Sequence, residues 1–96
     1  AEMYVEEQAA RLLVYRAACN RDLGLRNTIE VSCAKYYAAE VAVKAANTAV
    51  KIFGSYGFST EYPVERFYRD AKSYQIVEGT SNIQKMIIAR NALGLK

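Results

Sequence analysis

The stretch of this chain whose residues suggest chemistry runs from Gln75 to Gln84. Glu78 and Gly79 stand directly before a strong helix start, where Ser81 and Gln84 form a capping-box pattern with Ser81 as the N-cap. Because glycine lets the backbone bend sharply, a carboxylate at this point can reach into a pocket. The same position also suits a carboxylate that only interacts favourably with the helix dipole. The residues alone leave both interpretations open.

Several classes of site are excluded by the residues that the chain lacks. It has no histidine, and Cys19 and Cys33 are its only thiols, which excludes the usual zinc sites and nucleophilic pairs that use histidine. Two separated cysteines in an alanine-rich helical sequence are typical of free thiols in a reducing compartment. The loop at 54–60 contains two glycines but has the spacing of neither a P-loop nor a dinucleotide fingerprint.

The composition predicts one small folded domain. The chain has 96 residues, of which 52% are hydrophobic and 24% charged, so it should bury a core. Its net charge of +3 is small, and basic and acidic residues alternate, which argues against a nucleic-acid partner. We find no signal peptide, no apolar run long enough to span a membrane and no C-terminal targeting tripeptide, so a cytoplasmic location is expected.

Apolar periodicity predicts an all-α fold of three main helices and one short helix. The first helix should cover about Glu2 to Arg21, and the second should run from about Thr28 to Phe53 and stop at Gly54. A second capping box, Asn27 with Glu30, marks the start of the second helix. The short helix opens at Pro63, and its expected buried side is Val64, Phe67, Tyr68 and Ala71. The last helix should run from Asn82 to about Leu93.

Glu40 falls inside the apolar stripe of the second helix, between Tyr36 and Val43. An unpaired carboxylate there would be costly, so we predict an ion pair between Glu40 and an arginine from a neighbouring helix.

The order and spacing of several short segments resemble the C-terminal domain of acyl-CoA dehydrogenases. The segments are Ala10-Arg11-Leu12-Leu13-Val14-Tyr15-Arg16-Ala17, Ile52-Phe53-Gly54-Ser55-Tyr56-Gly57-Phe58, Glu61-Tyr62-Pro63-Val64-Glu65-Arg66, Arg69-Asp70-Ala71-Lys72 and Ile76-Val77-Glu78-Gly79-Thr80-Ser81. Each piece is weak by itself, but together they cover nearly the whole chain.

The resemblance implies that residues 1–96 form most of the family's C-terminal four-helix bundle, without the first bundle helix and without the N-terminal and β domains. It also implies an FAD enzyme of fatty acid metabolism that works as a homotetramer and passes electrons to electron-transfer flavoprotein or a similar acceptor. The chain opens in helical pattern at Ala1 without a cap, which agrees with truncation. We therefore expect the isolated piece to be inactive.

The resemblance also implies roles for the residues around Glu78. In the family a carboxylate at this position removes the α-proton of an acyl-CoA thioester while the β-hydrogen leaves as hydride to the flavin. The backbone N–H of this glutamate and a flavin hydroxyl hold the enolate charge. Gly79 matches a residue that lines the acyl-CoA site.

Two segments match FAD contacts of the family. Thr80, Ser81 and Asn82 match a helix start that contacts FAD, although many members have glutamine where Asn82 stands. Lys51, Ile52, Phe53, Gly54 and Ser55 match a contact with the adenosine end of FAD from a neighbouring subunit. Here Lys51 replaces glutamine and Ser55 replaces glycine, and Lys51 can still meet a pyrophosphate as a point charge.

Other functions compete with this interpretation. The chain could be a non-catalytic helical module for interaction or oligomerisation, since three amphipathic helices with many aromatic residues suit that role. It could also belong to an acyl-CoA oxidase or to a dehydrogenase of the glutaryl-CoA type, because the residues that distinguish these enzymes would lie mostly in other domains.

Overall fold

The computed structural model describes residues 1–96 and confirms the all-α class. The helices are α1 at Glu2–Asp22, α2 at Thr28–Phe53, α3 at Val64–Ser73 and α4 at Ser81–Ala92, and a 3₁₀ segment covers Gly54–Phe58. The predicted bounds of α1 and α2 hold to within one residue. None of the helices is both long and apolar enough to cross a membrane.

The central element is α2, because α1, α3 and α4 each pack on it and none of these three packs against another. The buried apolar side chains are small: Ala10, Ala17, Ala34, Ala39, Val41, Val64 and Ala71. No large side chain is fully buried. Helix axes approach more closely where the side chains between them are small, so this alanine-rich seam favours tight pairing with α2.

The predicted buried side of α3 is only half right. Val64 and Ala71 are buried, but Phe67 is 53% exposed and Tyr68 is 40% exposed. The reason is that α3 packs only on α2 and the 3₁₀ segment, so nothing in the chain covers the edges of its apolar face.

The capping box predicted for the second helix is not formed, although Asn27 is the N-cap. Its side-chain amide donates to the carbonyl of Ala17 at 3.1 Å and so ties the start of α2 to α1. Glu30 turns to Arg16, with 3.7 Å between the charged groups, while its Oε2 atom is buried without a partner. The polar groups at this helix start therefore serve the α1–α2 contact.

The stretch predicted as a loop after α2 forms a short 3₁₀ helix that packs back on α2. A Cβ atom at the buried Gly57 would lie 2.2 Å from the carbonyl oxygen of Val50, far inside normal contact. Only glycine allows this approach. Tyr62 closes the turn with its ring edge-on to those of Phe53 and Tyr56, at 5.7 and 5.4 Å between centroids.

Candidate functional site

Glu78 lies in a strained turn between α3 and α4. Its φ is 55°, and it is the only non-glycine residue with positive φ; Gly79 follows with φ 88°. A side-chain-bearing residue in this left-handed region costs about 1–2 kcal/mol, and such strain persists where the surroundings enforce it, often at functional sites. The side chain of Glu78 is exposed. The turn thus presents a carboxylate outward at some cost in stability.

The backbone donors of this turn are free. Neither Glu78 N–H nor Gly79 N–H makes a hydrogen bond within the chain, whereas Ser81 N–H donates to the carbonyl of Gln75 at 3.0 Å. A free amide beside a free carboxylate can bind an oxygen that carries developing charge while the carboxylate accepts a proton.

Position 79 requires glycine for two reasons, its positive φ and the closeness of a neighbouring side chain. A Cβ atom there would lie 2.4 Å from Nε2 of Gln84. Gln84 is buried, and the same Nε2 donates to the carbonyl of Gly79 at 3.4 Å. The glutamine therefore reaches back to the turn, two residues before Ser81, the partner that the capping-box pattern implied.

The helix cap at this site is shifted by one residue from the prediction. Thr80 is the N-cap, and its Oγ1 accepts from the N–H of Ile83 at 3.2 Å. Ser81, predicted as the cap, is the first residue of α4. Its hydroxyl donates instead to Oε1 of Glu40 at 2.8 Å, a bond that joins α4 to α2.

The predicted ion pair of Glu40 with an arginine is therefore wrong. The half-buried carboxylate meets Ser81, because the start of α4, and not an arginine-bearing turn, reaches Glu40 on α2. A neutral hydroxyl satisfies one carboxylate oxygen there, since a charged acceptor forms a strong bond even with a neutral donor.

Sequence reasoning missed Lys35, which holds the turn from α2. Its ammonium donates to the carbonyl of Tyr74, the C-cap of α3, and at 3.3 Å to the carbonyl of Gly79. The available signal was that Lys35 is the only charged residue between Glu30 and Glu40.

A polar groove of about 290 Å³ opens at the start of α4. Its lining residues are Glu40, Lys72, Gln75, Ile76, Thr80, Ser81, Asn82 and Lys85. Of the three predicted FAD contacts on α4, Thr80 and Ser81 already make bonds within the chain, while Asn82 is exposed and its N–H has no partner. A free N–H at a helix start together with two lysines suits a phosphate-bearing ligand.

The other predicted FAD contacts lie apart from this groove. Lys51, Ile52, Phe53, Gly54 and Ser55 are all exposed at the far end of α2. Lys51 stands eleven residues after Glu40, which corresponds to roughly 16 Å along a helix. Lys51 makes no ion pair, and the space beside the Cα of Gly54 is open. The two sets thus offer free donors at separate places, which fits an extended cofactor or two copies of it.

Comparison with known proteins shows which family the chain resembles. The family model for the acyl-CoA dehydrogenase C-terminal domain matches residues 1–93. Glutaryl-CoA dehydrogenase of Desulfococcus multivorans is 57% identical over 97 residues, covering 100% of this chain and 25% of that protein. An acyl-CoA dehydrogenase of Bacillus subtilis is 51% identical, covering 98% of this chain and 25% of that protein.

A solved structure agrees with these sequence matches. Butyryl-CoA dehydrogenase from Megasphaera elsdenii superposes with a TM-score of 0.95 at 46% identity, covering 97% of this chain and 24% of that one. The chain therefore spans about a quarter of the length of the relatives it matches.

Proposed function

This chain belongs to the acyl-CoA dehydrogenase family, and from that premise we propose that residues 1–96 are the C-terminal helical domain of an FAD-dependent enzyme that introduces an α,β double bond into an acyl-CoA thioester. The family match over residues 1–93 supports this assignment. The observation that carries it is the strained turn, in which Glu78 presents a free carboxylate beside its own free N–H.

In the proposed reaction Glu78 takes the α-proton of the thioester. Such a proton is weakly acidic, so its removal needs both a positioned base and stabilisation of the enolate oxygen. The free N–H of Glu78 is a suitable donor to that oxygen, and the absence of a side chain at Gly79 leaves room for the thioester.

FAD, when bound, supplies the acceptor for the β-hydrogen as hydride. The residues present fit such a cofactor, since Asn82 and Lys51 offer unpartnered donors at two separate places. Thr80 and Ser81 would complete the first contact, and Ile52, Phe53, Gly54 and Ser55 the second. We assign the second set to the FAD of a neighbouring subunit. This assignment requires a homo-oligomer, which we expect to be a tetramer. Electron-transfer flavoprotein is the expected acceptor of the electrons from the flavin.

This assignment predicts that the isolated chain has no activity of its own. Glu78 is exposed within it, whereas a base that works on an acyl-CoA needs a site from which water is excluded. The surrounding walls would come from the acyl chain, the flavin and the remaining domains.

The decisive experiment is Glu78→Gln in the full-length protein of which this chain is part. Glutamine keeps the shape of the side chain but cannot take a proton, so turnover should fall by about three orders of magnitude or more. The visible flavin spectrum should be retained, and butyryl-CoA with an artificial electron acceptor gives the rate.

The matched control is Glu61→Gln, which makes the same change at an exposed glutamate outside the site. It should turn over at the wild-type rate. Near-normal turnover in Glu78→Gln would remove the basis of the assignment. A colourless wild-type protein would favour the non-catalytic interaction module instead.

A dehydrogenase of the glutaryl-CoA type is the second candidate. The observation that favours it is the 57% identity to glutaryl-CoA dehydrogenase of Desulfococcus multivorans. Comparing turnover of glutaryl-CoA and butyryl-CoA by the same full-length protein separates the two.

A further inference from the structure

We propose that Lys35 is a positioning residue that holds the Glu78 turn in its reactive shape from α2. This inference rests on the function proposed above, because it concerns the geometry of the base. The observation behind it is that one ammonium group bonds the backbone on both sides of the turn, at Tyr74 and at Gly79.

The two acceptors of Lys35 bracket the strained residue. Tyr74 ends α3 four residues before Glu78, and Gly79 follows it directly. Between them the backbone is held by hydrogen bonds from Ile76 and Val77 to the carbonyl of Ser73, both at 2.9 Å. Glu78 itself makes no backbone bond. Its left-handed conformation therefore depends on how its neighbours are fixed.

The cation is well placed for this task. The carbonyl of Tyr74 lies at the C-terminus of α3, where the partial negative charge of the helix favours a positive side chain. The carbonyl of Gly79 also accepts from Gln84. Lys35 from α2 and Gln84 from α4 thus fix the same peptide oxygen from two helices.

Lys35 acts through the backbone and not through the carboxylate. It forms no ion pair with Glu78 or with any other carboxylate. Its N–H groups point to peptide oxygens, so the base stays free to accept a proton while the turn that carries it is held. This separation predicts an effect on kcat that is larger than the effect on FAD binding or on KM.

The test is Lys35→Met in the full-length FAD-loaded protein, with kcat expressed per bound flavin. Methionine keeps the length of the side chain but removes the charge and the donors. Misplacing a catalytic group by about 1 Å costs roughly 100-fold, so kcat should fall about 10- to 100-fold while KM changes by less than about threefold. Lys35→Arg, which keeps a charged donor, should recover part of the loss.

The matched control is Lys44→Met, since Lys44 lies on the same helix and bonds Glu6 of α1, away from the turn. It should retain wild-type kcat. Hydrogen exchange gives a second readout that needs no activity: the hydrogen-bonded amides of residues 74–77 and of Ser81 should exchange about tenfold faster in Lys35→Met and at the wild-type rate in Lys44→Met. Unchanged exchange in Lys35→Met overturns the proposal, and so does a kcat per flavin equal to that of Lys44→Met.

Three further outcomes are distinguished. If Lys35→Met fails to load FAD, Lys35→Gln replaces it and is judged by the same kcat per flavin and the same exchange rates. If Glu78→Gln turns over normally, the proposed base is wrong whatever Lys35 does. If Glu78→Gln is inactive and the Lys35 variants behave as wild type, only the positioning role is refuted.

Discussion

The hydrogen bond between Ser81 and Glu40 should measurably hold the start of α4 on α2. Its 2.8 Å length is ordinary for a hydroxyl and a carboxylate, and the acceptor is half-buried. Hydrogen bonds to charged groups contribute about 1.5–3 kcal/mol, and the partial exposure argues for the lower end. A loss of about 1.5 kcal/mol corresponds to roughly a tenfold change in an equilibrium constant.

Ser81→Ala should therefore make the hydrogen-bonded amides of Ile83 and Gln84, in the first turn of α4, exchange about tenfold faster with deuterium. Hydrogen exchange suits this question, because it reports local opening without requiring the whole protein to unfold in two states. Glu40→Ala should have a similar effect, and the double variant should be little worse than either single one, since both remove the same bond.

Thr48→Ala is the control for this cycle. Thr48 also uses its hydroxyl for a hydrogen bond on α2, to the carbonyl of Lys44 at 3.0 Å, but it lies away from α4. Exchange in α4 should not change in that variant. If Ser81→Ala leaves the exchange of α4 within about twofold of wild type, or if the two single effects add fully, the bond does not hold the helix.

Two further substitutions test the local packing of the same protein. Gly57→Ala should lower stability by about 3 kcal/mol, because its Cβ would meet the backbone of Val50 and the 3₁₀ segment would have to move. Thermal melting compares it with Gly24→Ala, which meets no neighbour and should cost only about 1 kcal/mol for its positive φ of 71°. Thr80→Ala should lower stability by about 1 kcal/mol, because the hydrogen bond that caps the N–H of Ile83 is lost, whereas Thr80→Ser should keep this bond and the wild-type stability. Equal melting temperatures for the two variants would show that the cap does not contribute.

The main helices could be predicted because their signals are local. The long apolar periodicity of α1 and α2 and the glycines at 24 and 54 fix these elements within the chain itself. The candidate site could be proposed for the same reason, since Glu78 and Gly79 precede a recognisable helix start. The resemblance to a family then supplied the roles.

The contacts that the sequence did not reveal all depend on which elements meet. Thr80 and Ser81 are both good N-cap residues. Ser81 does not cap the helix because its hydroxyl donates to Glu40 on the facing helix α2. The partner of Glu40 was wrong for the same reason. Lys35 was missed because a lysine on a helix is ordinary until the ends of α3 and α4 are seen to converge on it.

The left-handed conformation of Glu78 was also beyond sequence reasoning. Glutamate has no preference for positive φ, so only the fixed ends of the turn can impose it. Physical reasoning about a sequence is weakest where the structure departs from local preference, and this departure coincides with the candidate site.

Because α1, α3 and α4 each pack on α2 and not on one another, α1 can change in evolution independently of α3 and α4. A change in α1 has to be accommodated mainly by the facing side of α2, because α1 does not pack against α3 or α4. Recombination between relatives at the turn 23–27 would exchange α1 while carrying the Glu78 turn, Lys35 and Gln84 over as one unbroken unit. Selection on the Glu78 turn and selection on α1 can thus proceed separately within the same 96 residues.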